Sequence, residues 1–361
     1  MVAASASIPE LSVIIPTLNE EAHLPLLLHD LLRQQDLDCE VLISDGGSQD
    51  QTCLLAAEVL AGGHVPYLVL IGPPGRGRQL NRAVRRARGE WLLFLHADCR
   101  LRDSDALLRG LSLLKQANAN GPLCRTAAHF TLKFERDEAG DSSGLFFCEA
   151  KARLNEPGCT HGDQGFLLER FFFDEVGPFR EDIPVMEDTW LAETIRKAGR
   201  WVLLPVEIET SPRRFRSEGF VERQILNALL MNFLFAGWDD FLHKVPAIYR
   251  QQCHAGPLQL LPFWKEIKHM LAEMPLKSRF RFWFATGRYV RSQVWQLAYL
   301  RETRRCFVKG VPIDQADHGA IRRFRAWFEP LTCNPFGTTL TGLLTCCWFY
   351  SVYLRLRRQR A

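Results

Sequence analysis

Three short segments carry the side chains best suited to chemistry. His96-Ala97-Asp98 closes the apolar run WLLFL, which puts an imidazole and a carboxylate at a strand end. One carboxylate, helped by substrate phosphates and water, is the usual protein hold on Mg²⁺ or Mn²⁺, although a lone Asp there also serves as a turn former or helix cap. Glu187-Asp188 precedes the helical pattern TWLAETIRKAG. Amides at a helix start keep a carboxylate ionised and oriented, as a general base requires; plain capping by Asp188 is the other reading. The stretch GPPGRGRQLN sets Arg76 and Arg78 among glycines at 72, 75 and 77. It reads as a phosphate cradle or as a solvated basic turn.

These segments depend on a scaffold that the first 110 residues spell out. LSVIIP, CEVLISD, PYLVLIG and EWLLFLHAD are short apolar runs separated by helical patterns, giving βαβαβαβ. Such strands, buried on both faces, predict an α/β fold with a mostly parallel sheet flanked by helices. Ligands then sit at the carboxyl ends of the strands, which are Pro16 to Glu20, Asp45 to Asp50, Gly72 to Arg78 and His96 to Asp98. HFTLKFE, GFLLERFFFDEVG and MEDTWLAETIRKAGRWVLLPVEIE extend the sheet to about Thr210. The first strand runs into PTLNE, with neither GxGxxG nor GK[ST], which disfavours nicotinamide dehydrogenases and P-loop enzymes.

SVIIPTLNEE, ISDGGSQDQT, Asn81-x-Ala83, RGEWLLFLHADCRL, GDQGFLLER with FFDEVGPF, and MEDTWLAETIRKAGR follow the order and spacing of family 2 glycosyltransferases. The chain resembles that family over residues 10 to 250. Its HAD and GDQG variants are similar to a bacterial cytoplasmic subgroup often labelled arsenosugar-biosynthesis transferases. The resemblance implies a GT-A fold and a hexosyltransferase-type enzyme that takes a sugar from a nucleotide-diphosphate sugar donor. It implies Pro16, Thr17 and Glu20 near the nucleoside, Asp45 at the base, and Arg76 and Arg78 facing the diphosphate. Asp98 matches the last carboxylate of the family's Asp-x-Asp metal motif, and Asp188, with Glu187 beside it, matches the base that activates an acceptor hydroxyl. Asp163 and Gln164 would line the sugar or acceptor pocket, and Arg213 and Arg214 fall where a closing loop often lies. The chain departs from the pattern at His96, at Gly46 in place of a second Asp, and at Ala83 in place of Gly. His96 is then either a nitrogen ligand favouring Mn²⁺ over Mg²⁺ or an orienter of Asp98.

The implied reaction is one in-line displacement with inversion, assisted by a divalent metal, Mg or Mn. A catalytically weak sugar-nucleotide-binding scaffold is the alternative motivated by His96 and Gly46, and a nucleotidyltransferase is the third. Donor sugar, base and acceptor are not legible, a lipid-linked acceptor being one option.

The net charge of +4 over 361 residues hides a division at Arg250. Residues 251–361 hold 18 Lys/Arg against 6 Asp/Glu, while the rest holds 27 against 35. The expected domains are therefore 1–250, the transferase, and 251–361, a helical, basic extension beginning near Gly256 and Pro257. That extension carries five of the nine tryptophans, a mixture that suits an anionic headgroup layer; no nucleic-acid motif accompanies it. Phe220 to Trp238 is a helix too apolar to stand alone. KSRFRFWFATGRYVRSQVWQLAYL reads as an imperfect amphipathic helix with Arg291 inside its apolar stripe, either snorkelling at a membrane surface or on a helix packed against its own domain, and Phe336 to Leu354 is uncharged ahead of RLRRQR. Peripheral contact with a membrane ranks ahead of a buried helix or a span. Scattered cysteines and an N-terminus without signal-peptide features point to reduced thiols in the cytoplasm, at the inner face of the membrane.

Overall fold

The computed structural model describes residues 8–119, 125–136, 142–252, 257–316 and 319–359. The chain divides into two compact units: Met1–Glu138 with Lys151–Ser211, and Ala139–Ala150 with Pro212–Ala361. The second unit thus begins well before residue 250, where charge alone draws the boundary; Gly256 lies outside the described residues.

In the first unit the order is β1 (Leu11–Thr17), α1 (Leu24–Leu32), β2 (Cys39–Asp45), α2 (Thr52–Ala61), β3 (Tyr67–Ile71), α3 (Arg76–Val84), β4 (Trp91–Phe94), β5 (Cys99–Arg100), α4 (Ala106–Ala119) and β6 (Thr126–Phe134). After α5 (Ser143–Ala152), which belongs mainly to the second unit, come β7 (Phe166–Glu169), α6 (Arg170–Val176), α7 (Glu187–Ala198) and β8 (Arg200–Thr210). The strands form one sheet in the order β3-β2-β1-β4-β7-β6-β8-β5. Pairings β1 with β2, β1 with β4, β2 with β3 and β6 with β8 are parallel. Antiparallel β7 enters between β4 and β6, and β5 pairs antiparallel with β8.

The central strands are continuous apolar runs because helices cover both faces. Ile14, Leu42, Phe94 and Phe166 pack with Leu80 and Ala83 of α3, Phe172 of α6, and Leu191 and Ile195 of α7. Full burial of each such side chain contributes about 1.5–3 kcal/mol. The same cluster fixes α3 and α7 against the sheet, and those two helices begin with the residues proposed for chemistry.

The second unit contains α8 (Arg213–Glu218), α9 (Phe220–Ala236), α10 (Asp240–Arg250), α11 (Leu261–Glu273), α12 (Leu276–Gln293), α13 (Trp295–Val308), α14 (Gly319–Arg323), α15 (Glu329–Thr332) and α16 (Pro335–Arg358). The apolar α9 packs within this unit: the Phe233 ring lies 4.3 Å from Phe241 and 5.2 Å from Phe282. Start of α5 joins it as well, through a Phe146–Phe307 ring pair and a hydrogen bond from Tyr299 Oη to the Ala150 carbonyl. Those contacts explain why the unit starts earlier than the basic composition does.

Helix α12 decides between the two readings of Arg291. Its buried residues are Phe282, Thr286, Gly287 and Arg291, while Phe280 is exposed. Arg291 is therefore buried within the unit and does not snorkel. The cause is a backbone crossing: a Cβ on Gly287 would stand 2.2 Å from the Thr338 carbonyl oxygen and 2.6 Å from the Gly342 nitrogen. Only glycine lets α12 and α16 meet there. Among the described residues no helix is long and apolar enough to cross a membrane. No disulfide joins the described cysteines.

Asp30 of α1 is an example of sequence chemistry holding the sheet's border. It is buried and accepts from Arg100 Nε at 2.5 Å, Arg100 Nη2 at 3.0 Å and the Leu101 amide at 3.1 Å. Burial opposes the charge, but Arg100, the Leu101 amide and Arg33 outweigh it and hold the carboxyl below its ordinary 3.8. Asp30→Ala leaves Arg100 largely buried without its counter-charge, and chemical denaturation should show a loss of about 3–5 kcal/mol. The native value lies below the unfolded one, so the contribution is complete above about pH 4 and fades as pH falls through the lowered native value. Wild type and variant should therefore converge in stability under acid.

Candidate active site

The loops after β1 and β2 are stitched into one wall. Thr17 Oγ1 donates to Asp45 Oδ1 at 3.1 Å, and Asp45 Oδ2 accepts from the Gly47 and Ser48 amides, each at 2.8 Å. Burial pushes Asp45 up, yet the Ser48, Gly47 and Thr17 donors more than compensate and keep its carboxyl below the usual range. Gly47 supplies the left-handed turn, with φ 88°. The Asn19 amide donates to Ser48 Oγ and the Glu20 amide to Thr52 Oγ1, both at 2.8 Å. Pro16, Thr17, Glu20 and Asp45 thus come together as one rigid edge.

Beneath that edge lies a residue the sequence reading did not single out. Gln79 Nε2 donates to the Thr17 carbonyl at 2.7 Å and to the Ser44 carbonyl at 2.8 Å. A Cβ on Gly46 would stand 3.1 Å from its side-chain amide. The glycine at 46 and the amide at 79 therefore share one space. Ala83, the other small-residue departure, is fully buried on α3 in the core.

The second group surrounds the start of α7. Asp188 Oδ2 accepts from the Gly162 amide at 2.8 Å and Oδ1 from the Thr189 amide at 2.7 Å. His161 Nδ1 and Thr189 Oγ1 share a hydrogen bond of 3.0 Å. A Cβ on Gly162 would stand 2.7 Å from His96 Nε2 and 3.0 Å from Asp188 Oδ2, so His96 lies beside Asp188. Arg76 Nη1 donates to Glu187 Oε1 at 3.3 Å. Arg76, His96, Gly162 and Asp188 line one small cavity with apolar Phe94, Phe166 and Phe179. Arg78, by contrast, is exposed, and Gln164 is buried with Nε2 on the Cys159 carbonyl, shaping its turn.

Asp98, Asp163, Glu187 and Asp188 share this region with Arg76, and the field of Lys151 reaches Asp163 as a minor influence. Burial would raise Asp188, but Arg76, His161, His96 and the Gly162 amide hold it below the usual carboxylate range, ionised at neutral pH. Burial together with Asp188 and Asp98 pushes Asp163 up to about 7. Glu187 is raised by burial and by Asp188 against the pull of Arg76, and burial lowers His161 to about 4. Asp98 and His96 are half-buried at the end of β4.

Among the described residues no three His, Cys, Asp or Glu side chains are grouped as a metal cage. The donor set fits a more modest role for a divalent ion. Asp163 Oδ1 is buried without a hydrogen-bond partner, and Asp163 and Asp188 feel each other's charge. Such an excess of negative charge suits a cation carried in part by substrate phosphates.

The glycosyl transferase family 2 model matches residues 12–177. A PGL/p-HBAD biosynthesis glycosyltransferase of Mycobacterium bovis is 31% identical over 182 residues, spanning 50% of this chain and 67% of that protein. A dolichyl-phosphate beta-glucosyltransferase of Mus musculus is 33% identical over 119 residues, 29% of this chain and 37% of that one. Among solved structures, a mannosyltransferase from Pyrobaculum calidifontis in complex with GDP-Man and Mn²⁺ aligns at 19% identity and TM-score 0.47, covering 94% of this chain and 87% of its own. The chain belongs to glycosyl transferase family 2. It is a glycosyltransferase, built as a mixed sheet flanked by helices with a helical C-terminal unit.

His161, Thr189 and Gly162 were not among the residues the sequence reading assigned to chemistry. His161 stands directly before the GDQG motif, so its neighbours carried the signal. Gly162→Ala forces its methyl against His96 and Asp188. Turnover should fall about 10²-fold, while thermal unfolding shifts little because the misplaced groups lie at the cavity and not in the core.

Proposed function

We propose that the chain transfers a sugar from a nucleoside-diphosphate sugar to an acceptor hydroxyl in one displacement with inversion, Asp188 acting as the base. The observation that carries this reading is the setting of Asp188. Its carboxylate starts α7, is fixed by the Gly162 and Thr189 amides, and faces a cavity shared with Arg76 and His96. A base kept ionised and aimed in this way needs no rearrangement before it takes the hydroxyl proton.

The leaving diphosphate is stabilised by Arg76, whose guanidinium already lies in the field of Glu187, Asp188 and Asp98. Glu187 holds Arg76 in position, and exposed Arg78 meets the diphosphate from the solvent side. Asp98 would hold the divalent ion, which supplies charge neutralisation at the departing phosphates. His96, lying beside Asp188, adds to the field that keeps that carboxylate ionised, and it is the second candidate beside Asp98 for holding the ion. The wall of Pro16, Thr17, Glu20 and Asp45 receives the nucleoside, and Asp163 with Gln164 borders the sugar or acceptor side.

The dolichyl-phosphate relative supports a lipid-linked acceptor, and the basic, tryptophan-bearing C-terminal unit supports peripheral membrane contact at a cytoplasmic face.

Asp188→Asn should keep donor affinity, read by calorimetry with nucleoside diphosphates and sugar nucleotides, and lose roughly 10²–10⁴-fold in transfer. Normal turnover by that variant would end the assignment. Asp98→Ala should abolish the dependence of donor binding on added Mg²⁺ or Mn²⁺, leaving the metal-independent part of that affinity in place.

A further inference from the structure

The outward face of α16 has a composition that protein packing does not explain. One side of the helix is buried through Thr338, Gly342, Phe349 and Tyr353, with the Phe349 carbonyl accepting from Trp264 Nε1 at 3.1 Å. The opposite side presents Phe336, Leu340, Leu343, Tyr350 and Leu354 at spacings of four, three, seven and four residues, one continuous stripe of a helix. Phe336 is 78% exposed, Leu343 59% and Leu354 54%. Arg358 continues the stripe four residues later, with Arg355 and Arg357 to either side, all exposed.

The hydroxyls on this helix are withdrawn from solvent chemistry. Thr339, Thr341, Thr345 and Ser351 each donate to the carbonyl four residues back at 2.8 Å. With donors satisfied internally, the face costs little to desolvate. It does not span a bilayer: the buried side is packed on α12 at the Gly287 and Gly342 crossing, and no described helix meets the requirement for crossing.

We infer that this stripe docks α16 flat on an anionic bilayer, its apolar residues in the headgroup region and its three terminal arginines on the lipid phosphates. The inference rests on the reading that the enzyme works at a membrane surface, and it identifies the face. Charge selects the occupant. A second copy would bring another segment of 18 basic and 6 acidic residues against the first, whereas an anionic lipid surface neutralises the arginines.

The test is co-sedimentation of the full chain with vesicles of phosphatidylcholine alone or with 30 mol% phosphatidylglycerol, roughly the anionic range over which such attraction operates. Wild type should pellet with the anionic vesicles. A triple variant, Leu340→Asp with Leu343→Asp and Leu354→Asp, should bind at least about tenfold more weakly, its cooperative thermal melt showing that it stays folded, since about half of each side chain is already exposed. Replacing Arg355, Arg357 and Arg358 with Gln should weaken binding roughly a hundredfold, at about fivefold per residue. Val308→Asp, exposed on α13, should bind as wild type does. If wild type pellets and the stripe variants pellet equally, this face is wrong while the membrane reading stands. Failure of wild type to bind either vesicle removes both. A concentration-dependent dimer abolished by the Leu variants, without vesicle binding, would overturn the inference in favour of a second copy.

Discussion

The hydrogen bond from the Gly162 amide to Asp188 Oδ2, with the His161–Thr189 pair beside it, couples the turn before β7 to the first residues of α7. The placing of His96 against Asp188 depends on the absence of a side chain at 162. His96, at the end of β4, is close enough that a methyl there would strike its ring nitrogen. Three segments distant in sequence thereby meet at one backbone atom. The sheet supplies the strand end, the core cluster holds α7 in place, and the glycine allows closure.

Electrostatics decides what that junction can do. Arg76 is the cation whose field acts on Asp188 and Glu187 together, and it does not neutralise Asp163, whose carboxyl rises to about 7. The region is short of positive charge before any phosphate arrives. In the proposed reaction a diphosphate increases that deficit, which supports a divalent ion carried with the donor over a preformed metal cage. The same shortage explains why Asp188 relies on amide donors for part of its stabilisation: backbone dipoles favour a carboxylate without adding a titratable neighbour.

Much of the first unit was legible because its strands are apolar runs of ordinary length and its chemistry sits at strand and helix ends. LSVIIPT, CEVLISD and WLLF became β1, β2 and β4, and Glu187-Asp188 opens α7 as the helix pattern implied. The antiparallel entry of β7 between β4 and β6 was not legible, since an apolar run carries no direction. His161 and Gln79 were missed because each acts through a tertiary partner, Thr189 in one case and the Thr17 and Ser44 carbonyls in the other. In the second unit, the compact division starts earlier than the change in charge: α9 and the start of α5 are not basic, yet their aromatic contacts lie with the C-terminal helices. Arg291 kept two readings for a related reason, because a stripe of aromatic residues does not disclose which side a Gly-to-Gly crossing will bury.

The shared space of Gly46 and Gln79 has a consequence for how this chain can vary. The amide of Gln79 bridges the ends of β1 and β2, so it stiffens the wall that the proposed nucleoside would face, and it occupies the volume into which a side chain at 46 would grow. The two positions form a coupled pair. Any side chain at 46 makes the Gln79 amide give by a few tenths of an ångström, so a change at 46 is felt at once in the bridge between the ends of β1 and β2.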